Sequence, residues 1–209
     1  MTLRWAGYAA YANALAALAQ ILTSGGDPQT NGVMGLLNNA AGIAWAASFV
    51  PLAYVLYRAT REKTNIVSAA AFAFGLVAFG AAAFLELSRA IGQLTFVQET
   101  IAYYPVLGLV GVWLLMAEGL AVMETDLPRG PLIYGAVVGG LWFLANVAFG
   151  AGGLPSPNAD APTNEFTGYG SLLFDTAFLL QPFWGLWLGR ALLRPPGPRV
   201  PAPGPGPRI

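Results

Sequence analysis

The sequence contains no cysteine and no histidine. Without cysteine there is no disulfide, no thiolate nucleophile and no thiolate-ligated metal. Without histidine there is no imidazole ligand for zinc or haem, no Ser–His pair and no histidine proton relay. Rhomboid-type and zinc-dependent intramembrane proteolysis are thereby excluded, as is haem ligation of the bis-histidine type. The only lysine, Lys63, lies in a polar stretch, so an intramembrane Schiff base has no candidate. Aspartyl intramembrane proteolysis needs two facing aspartates, and only Asp175 falls in an apolar segment. No Gly-rich phosphate loop, carboxylate metal box or nucleophile elbow is present, so no metal and no cofactor is expected. Tyr169-Gly170-Ser171 lacks the flanking residues that would make Ser171 a nucleophile.

Charge is the other scarcity. Of 209 residues only 10% are charged and 56% are apolar, whereas a soluble domain carries about 25% charged residues. So few charges cannot cover the surface of a soluble globule. Ten Lys and Arg are balanced by ten Asp and Glu, which leaves no basic excess for nucleic acid. The composition therefore points to an all-α polytopic membrane protein whose first partner is the lipid bilayer.

A membrane-spanning helix needs about 20 mostly apolar residues. Six segments meet this, at about 5–22, 33–57, 66–90, 101–123, 131–151 and 169–193. Backbone groups in lipid must be satisfied within the segment, which selects helices. Turn residues separate them: Gly25-Gly26-Asp27-Pro28, Arg61-Glu62-Lys63, Glu124 to Arg129, and a Gly/Pro/Asn/Asp-rich loop over 152–168. Residues 194–209 are mostly Pro, Gly and Arg and are expected to form an extended, mobile tail.

Orientation follows from the positive charges. Arg4, Arg58, Arg61, Lys63, Arg129, Arg190, Arg194, Arg199 and Arg208 all fall on one side of a six-span chain. The opposite loops carry Asp27, Glu99, Asp160 and Glu165, with Arg89 at the rim of the third span. Both termini are expected in the cytoplasm, with the chain a multi-pass protein of a bacterial inner membrane. Ala17-Leu18-Ala19 before Gln20 also fits a signal-peptidase site; Tyr8, Tyr11 and Asn13 interrupt the apolar run that such a signal needs.

Ionisable residues inside a membrane are functional candidates by default. Glu86, Glu118 and Asp175 lie within spans, and Arg89 follows Glu86 by three positions, on the same helix face. The plain reading of Glu86 and Arg89 is a self-neutralising pair near the interface. Counted at about 1.5 Å per residue, Glu86, Arg89, Asp175, Gln20, Asn38, Asn39 and Asn146 share one depth band in the outer leaflet. If they converge they line an outward-facing polar cavity; if not, each is an interhelical hydrogen bond. Glu118 stands apart, nearer the cytoplasmic end, either as a structural carboxyl or as a proton or cation site. Pro51 and Pro182 kink their helices, and Gly135-x-x-x-Gly139 forms a close-packing face.

Arg4-Trp5-Ala6-Gly7-Tyr8 opens the chain with an arginine and an aromatic-rich first helix, and Gly25 to Pro28 follow as an outer loop. This layout resembles small bacterial six-span membrane proteins to which no activity is assigned. The resemblance implies the topology and no catalytic residue. The expected function is non-enzymatic: binding or passage of a small solute or lipid headgroup through the outward cavity. The alternatives are an accessory subunit bound to a membrane-protein partner, and, less favoured, a carboxylate-dependent membrane enzyme.

Overall fold

The computed structural model describes residues 3–23, 32–155 and 164–194. The Gly25 to Pro28 turn, residues 156–163 of the 152–168 loop and the tail from 195 onward lie outside the described residues. Five helices account for almost all of what is described: α1 (Leu3–Thr23), α2 (Val33–Ala90), α3 (Phe96–Glu124), α4 (Arg129–Gly152) and α5 (Glu165–Leu193). Among the described residues there is no strand, and the all-α expectation stands.

The expected loop between the second and third spans is absent. The 58 residues of α2 run as one helical element through Arg61-Glu62-Lys63, and only Thr64 leaves helical dihedrals (φ −134°, ψ 52°). A straight helix of that length would reach about 87 Å, nearly three times the hydrocarbon thickness of a bilayer. Instead α2 doubles back on itself. Phe49 stacks on Phe79 at 4.8 Å, Tyr57 stacks on Phe72 at 5.2 Å, and Tyr54 meets Phe72 edge-on at 6.4 Å. Gly42 faces Glu86. Every one of these pairs is centred within about a residue of Thr64. The Thr64 hydroxyl donates to the Thr60 carbonyl at 3.1 Å and lies 2.9 Å from the Ser68 hydroxyl, so polar groups at the bend are satisfied by its own side chains.

Two helices start earlier than their apolar runs. Thr95 accepts from the Gln98 backbone N–H, while the Gln98 side chain accepts from the Thr95 N–H, a reciprocal cap that starts α3 at Phe96. Asn164 accepts from the Phe166 N–H at 2.9 Å and starts α5 at Glu165.

The backbones form a closed ring. Each helix packs on its chain neighbours, and α5 returns to pack on α1. Across the ring the main chains are too far apart to touch, and aromatic side chains fill the gap. Trp45 meets Trp142 at 5.9 Å, Phe49 stacks on Trp184 at 5.8 Å, and Trp113 packs edge-on to Phe49 and Phe79. Trp45, Trp113, Trp142, Trp184, Phe49 and Phe79 are all buried. Such edge-to-face and offset pairs add about 0.5–1.5 kcal/mol each beyond the area they bury.

The outside is apolar as well. Ile66, Leu22, Val33 and Val77 are 83%, 76%, 74% and 68% exposed, and large hydrophobic side chains stand outward on every helix. A monomer in water rarely presents contiguous apolar surface on this scale. Three of the helices, α2, α3 and α4, are long and apolar enough to cross a membrane. The protein is a membrane protein. Helix α1 carries Asn13 and Gln20 and α5 carries Gln181, and all three of these side chains are buried inside the ring.

The two ends of the ring differ in charge. At one end the start of α1, the α2 bend and the α3–α4 turn meet, with Leu3, Arg58 and Asp126 around one hollow. Lys63 there lies 3.7 Å from Glu124. Leu193 of α5 packs on Gly7, and Trp187 on Gly130, so Arg190 and Arg194 share this end with Arg4 and Arg129. The other end holds Gln20, Asn38, Glu86, Arg89 and Glu99.

Candidate functional site

At the end away from the basic residues lies a cavity of about 290 Å³. It is built from four elements. α1 contributes Gln20, α2 contributes Asn38 and Glu86 from its two arms, and α3 contributes Phe96, Glu99, Thr100, Tyr103, Tyr104 and Leu107. α5 closes it with Phe174 and Phe178. The α3 residues recur at three- and four-residue intervals, so they form one helix face. The lining residues of α1 and α2 are all polar, and the aromatic rings all come from α3 and α5.

The polar side is held by a small network. Gln20 Nε2 donates to Glu86 Oε1 at 3.1 Å. Asn38 Nδ2 donates to the Gln20 carbonyl at 3.1 Å and to the Thr23 hydroxyl at 2.9 Å, tying the start of α2 to the end of α1. Gly42, one turn along α2, makes the room: a Cβ there would overlap the Glu86 carboxylate and lie 2.7 Å from Gln20 Nε2. Glu86 is 3% exposed and Gln20 5%. The Tyr103 hydroxyl lies beside Glu86 Oε2 and Gln20 Oε1, one O–H donor facing two buried acceptors.

Arg89 does not serve as a simple partner for Glu86 on the same helix. Its Nη1 donates to Glu99 Oε2 at 2.6 Å, and its guanidinium lies over the Phe96 ring at 4.6 Å. The pair is buried, and it clamps the end of α2 to the first turn of α3. Glu99 is therefore part of a helix and of the cavity wall, not of an outer loop.

The aromatic side is braced from behind. Tyr104 packs edge-on against Phe149 at 4.9 Å and Phe174 at 4.8 Å, linking α3, α4 and α5. Phe174 stacks on Phe178 one turn further along α5.

Of the residues singled out in sequence, Gln20, Asn38 and Glu86 come together at the cavity, with Arg89 beside them through Glu99. Asn39 is buried next to Asn38 but does not line it. Asn146 donates to the Trp142 carbonyl at 3.0 Å and packs on Gly108, away from the cavity. Asp175 is exposed and does not itself line the cavity, although its charge acts on Tyr104 of the wall. Glu118 is fully buried near the basic end, against Gly135, with the Trp184 indole N–H beside its carboxyl. Between Glu118 and the cavity lies a buried set in which Gln181 Nε2 donates to Asn13 Oδ1 and Asn13 Nδ2 donates to the Ser48 hydroxyl at 2.8 Å.

Apolar length alone puts Glu99 in a loop and does not single out Phe96, Tyr103, Tyr104, Phe174 or Phe178. The Thr95-x-x-Gln98 signature was the available signal, because starting the helix at Phe96 puts Glu99 in its first turn, within reach of Arg89. Compared with known proteins, the chain matches no family model, no curated protein and no solved structure.

Proposed function

We propose that the protein is a multi-pass protein of a bacterial inner membrane that binds or passes a small solute or lipid headgroup, without catalysing a reaction. In this reading the five helices cross the bilayer six times, each arm of α2 crossing once, and both termini are cytoplasmic. The grouping of Arg4, Arg58, Arg61, Lys63, Arg129, Arg190 and Arg194 at one end supports that orientation, since cytoplasmic ends carry the excess of Lys and Arg. The cavity then lies at the outer end.

The observation that carries the reading is the meeting of Gln20, Asn38 and Glu86 with an aromatic wall around one hollow. Burying a carboxyl in a membrane bundle is costly, and this one is buried beside free volume. Ligand sites are commonly concave, largely apolar and furnished with a few placed polar groups. The test is thermal unfolding of the detergent-extracted protein against a panel of small polar solutes and lipids. At least one is expected to raise the midpoint in the wild type and to lose that effect in Glu86→Gln, whose own unfolding stays cooperative. Equal stabilisation of wild type and Glu86→Gln by every binder, or no binder at all, contradicts the reading.

A further inference from the structure

The hydrogen-bonding capacity of the cavity is lopsided, and this indicates what it holds. The donors around it are largely engaged by the protein. Both Asn38 Nδ2 hydrogens go to Gln20 and Thr23, the Thr100 hydroxyl donates to the Phe96 carbonyl at 2.8 Å, and Gln20 Nε2 donates to Glu86. The Arg89 guanidinium is turned to Glu99 and Phe96. What remains is chiefly acceptor: Gln20 Oε1 and Glu86 Oε2, both on side chains more than nine-tenths buried, face a single O–H donor, the Tyr103 hydroxyl, whose one proton can satisfy only one of them. The charge is lopsided in the same sense. Glu86 and Glu99 face one described cation, Arg89, which is bonded to Glu99. The remaining walls, Tyr104, Leu107, Phe174 and Phe178, are apolar, and aromatic faces favour a cation.

Building on the proposed ligand-binding role, we infer that the cavity takes an organic ammonium: a primary or secondary amine, protonated, on an apolar body. Its N–H groups bond to Glu86 Oε2 and Gln20 Oε1, in competition with the single Tyr103 O–H, and its body lies against Phe174 and Phe178. An anion would face two carboxyls, and a neutral alcohol offers one donor to two acceptors and carries no charge. The same ammonium chemistry is available from a free amine or from an ethanolamine lipid headgroup.

The test uses the full chain in mild detergent and a matched set of probes: 2-phenylethylamine, 2-phenylethanol and phenylacetate. Affinity is read by tryptophan fluorescence, and lipids retained after extraction are read by native mass spectrometry. A charge-assisted hydrogen bond lost on going from amine to alcohol should weaken binding roughly 10- to 100-fold. The amine is expected to bind at least tenfold more tightly than the alcohol, phenylacetate not at all, and Glu86→Gln to erase the difference. Tyr103→Phe, which keeps the ring and removes the competing O–H donor, should keep the preference for the amine. Selective retention of phosphatidylethanolamine over phosphatidylcholine and phosphatidylglycerol, lost in Glu86→Gln, supports the inference with the lipid as source; preferential amine binding without it supports a free amine. Equal or tighter binding of the alcohol or the acid overturns the ammonium assignment and leaves a ligand cavity standing. No binding of any probe and no retained lipid overturns both.

Discussion

Gly111 and Gly139 face each other where α3 crosses α4. A Cβ on either would lie 2.6 Å from the other's carbonyl oxygen. The obstacle is backbone, so it cannot swing aside as a side chain tip can. Gly111→Ala is therefore expected to force the two helices apart and to destabilise the protein by about 1–3 kcal/mol, the usual range for overpacking a tight core. Reversible unfolding in mixed micelles reads this directly, and an unchanged midpoint would show that the crossing is looser than described. Gly135, on the same stripe, also faces inward, toward Glu118 and Trp184. The Gly135-x-x-x-Gly139 face is thus used inside the bundle. At Gly42 the missing Cβ has a different use, because the space it leaves holds the Glu86 carboxylate and the Gln20 amide.

At the scale of elements, the join between α2 and α3 is the informative one. Arg89 and Glu99 are both about nine-tenths buried, and each answers the other's charge. Removing one partner from such a pair leaves an uncompensated buried charge and costs about 3–5 kcal/mol, while removing both is often mild. Arg89→Met and Glu99→Leu are each expected to lower stability strongly, and the double variant to recover most of the loss. A double variant as unstable as the sum of the two singles would mean that the pair matters through separate contacts. The same join shows what a sequence can and cannot convey. Apolar length located the helical segments, because each must hide a backbone in lipid, and the scarcity of charge made Glu86 and Arg89 conspicuous. It did not reveal that α2 stays helical through Arg61-Glu62-Lys63, since polar residues are compatible both with a loop and with a helix end exposed to water. Glu99 was read as a loop residue because the apolar run begins later than the helix, whose start is set by the Thr95–Gln98 cap. The partner of Arg89 was hidden for that reason. Depth puts Asp175 and Asn146 in the same band as Glu86, but depth carries no information on azimuth around the ring, and neither lines the cavity.

The whole molecule is a ring of helices closed by α1 and α5, filled by tryptophan and phenylalanine, and apolar on its outer surface. With the hydrophobic effect absent between helices in lipid, close packing and interhelical hydrogen bonds hold such an assembly together. The aromatic filling supplies the first, and the Asn13–Ser48–Gln181 set supplies the second. Its two ends are chemically unlike, with arginines and Lys63 at one and the cavity with its carboxyls at the other. The absence of cysteine makes this polarity directly measurable, since a single introduced cysteine is the only thiol in the chain. Thr100→Cys places a thiol in the cavity wall, and Glu62→Cys places one on the exposed α2 bend. Treated with a membrane-impermeant maleimide, Thr100→Cys is expected to label in right-side-out vesicles and Glu62→Cys only in inverted ones. Labelling of both from the same side, or a Thr100→Cys thiol that reacts from neither side while Glu62→Cys reacts, would contradict a membrane-spanning bundle with a water-accessible cavity at its outer end.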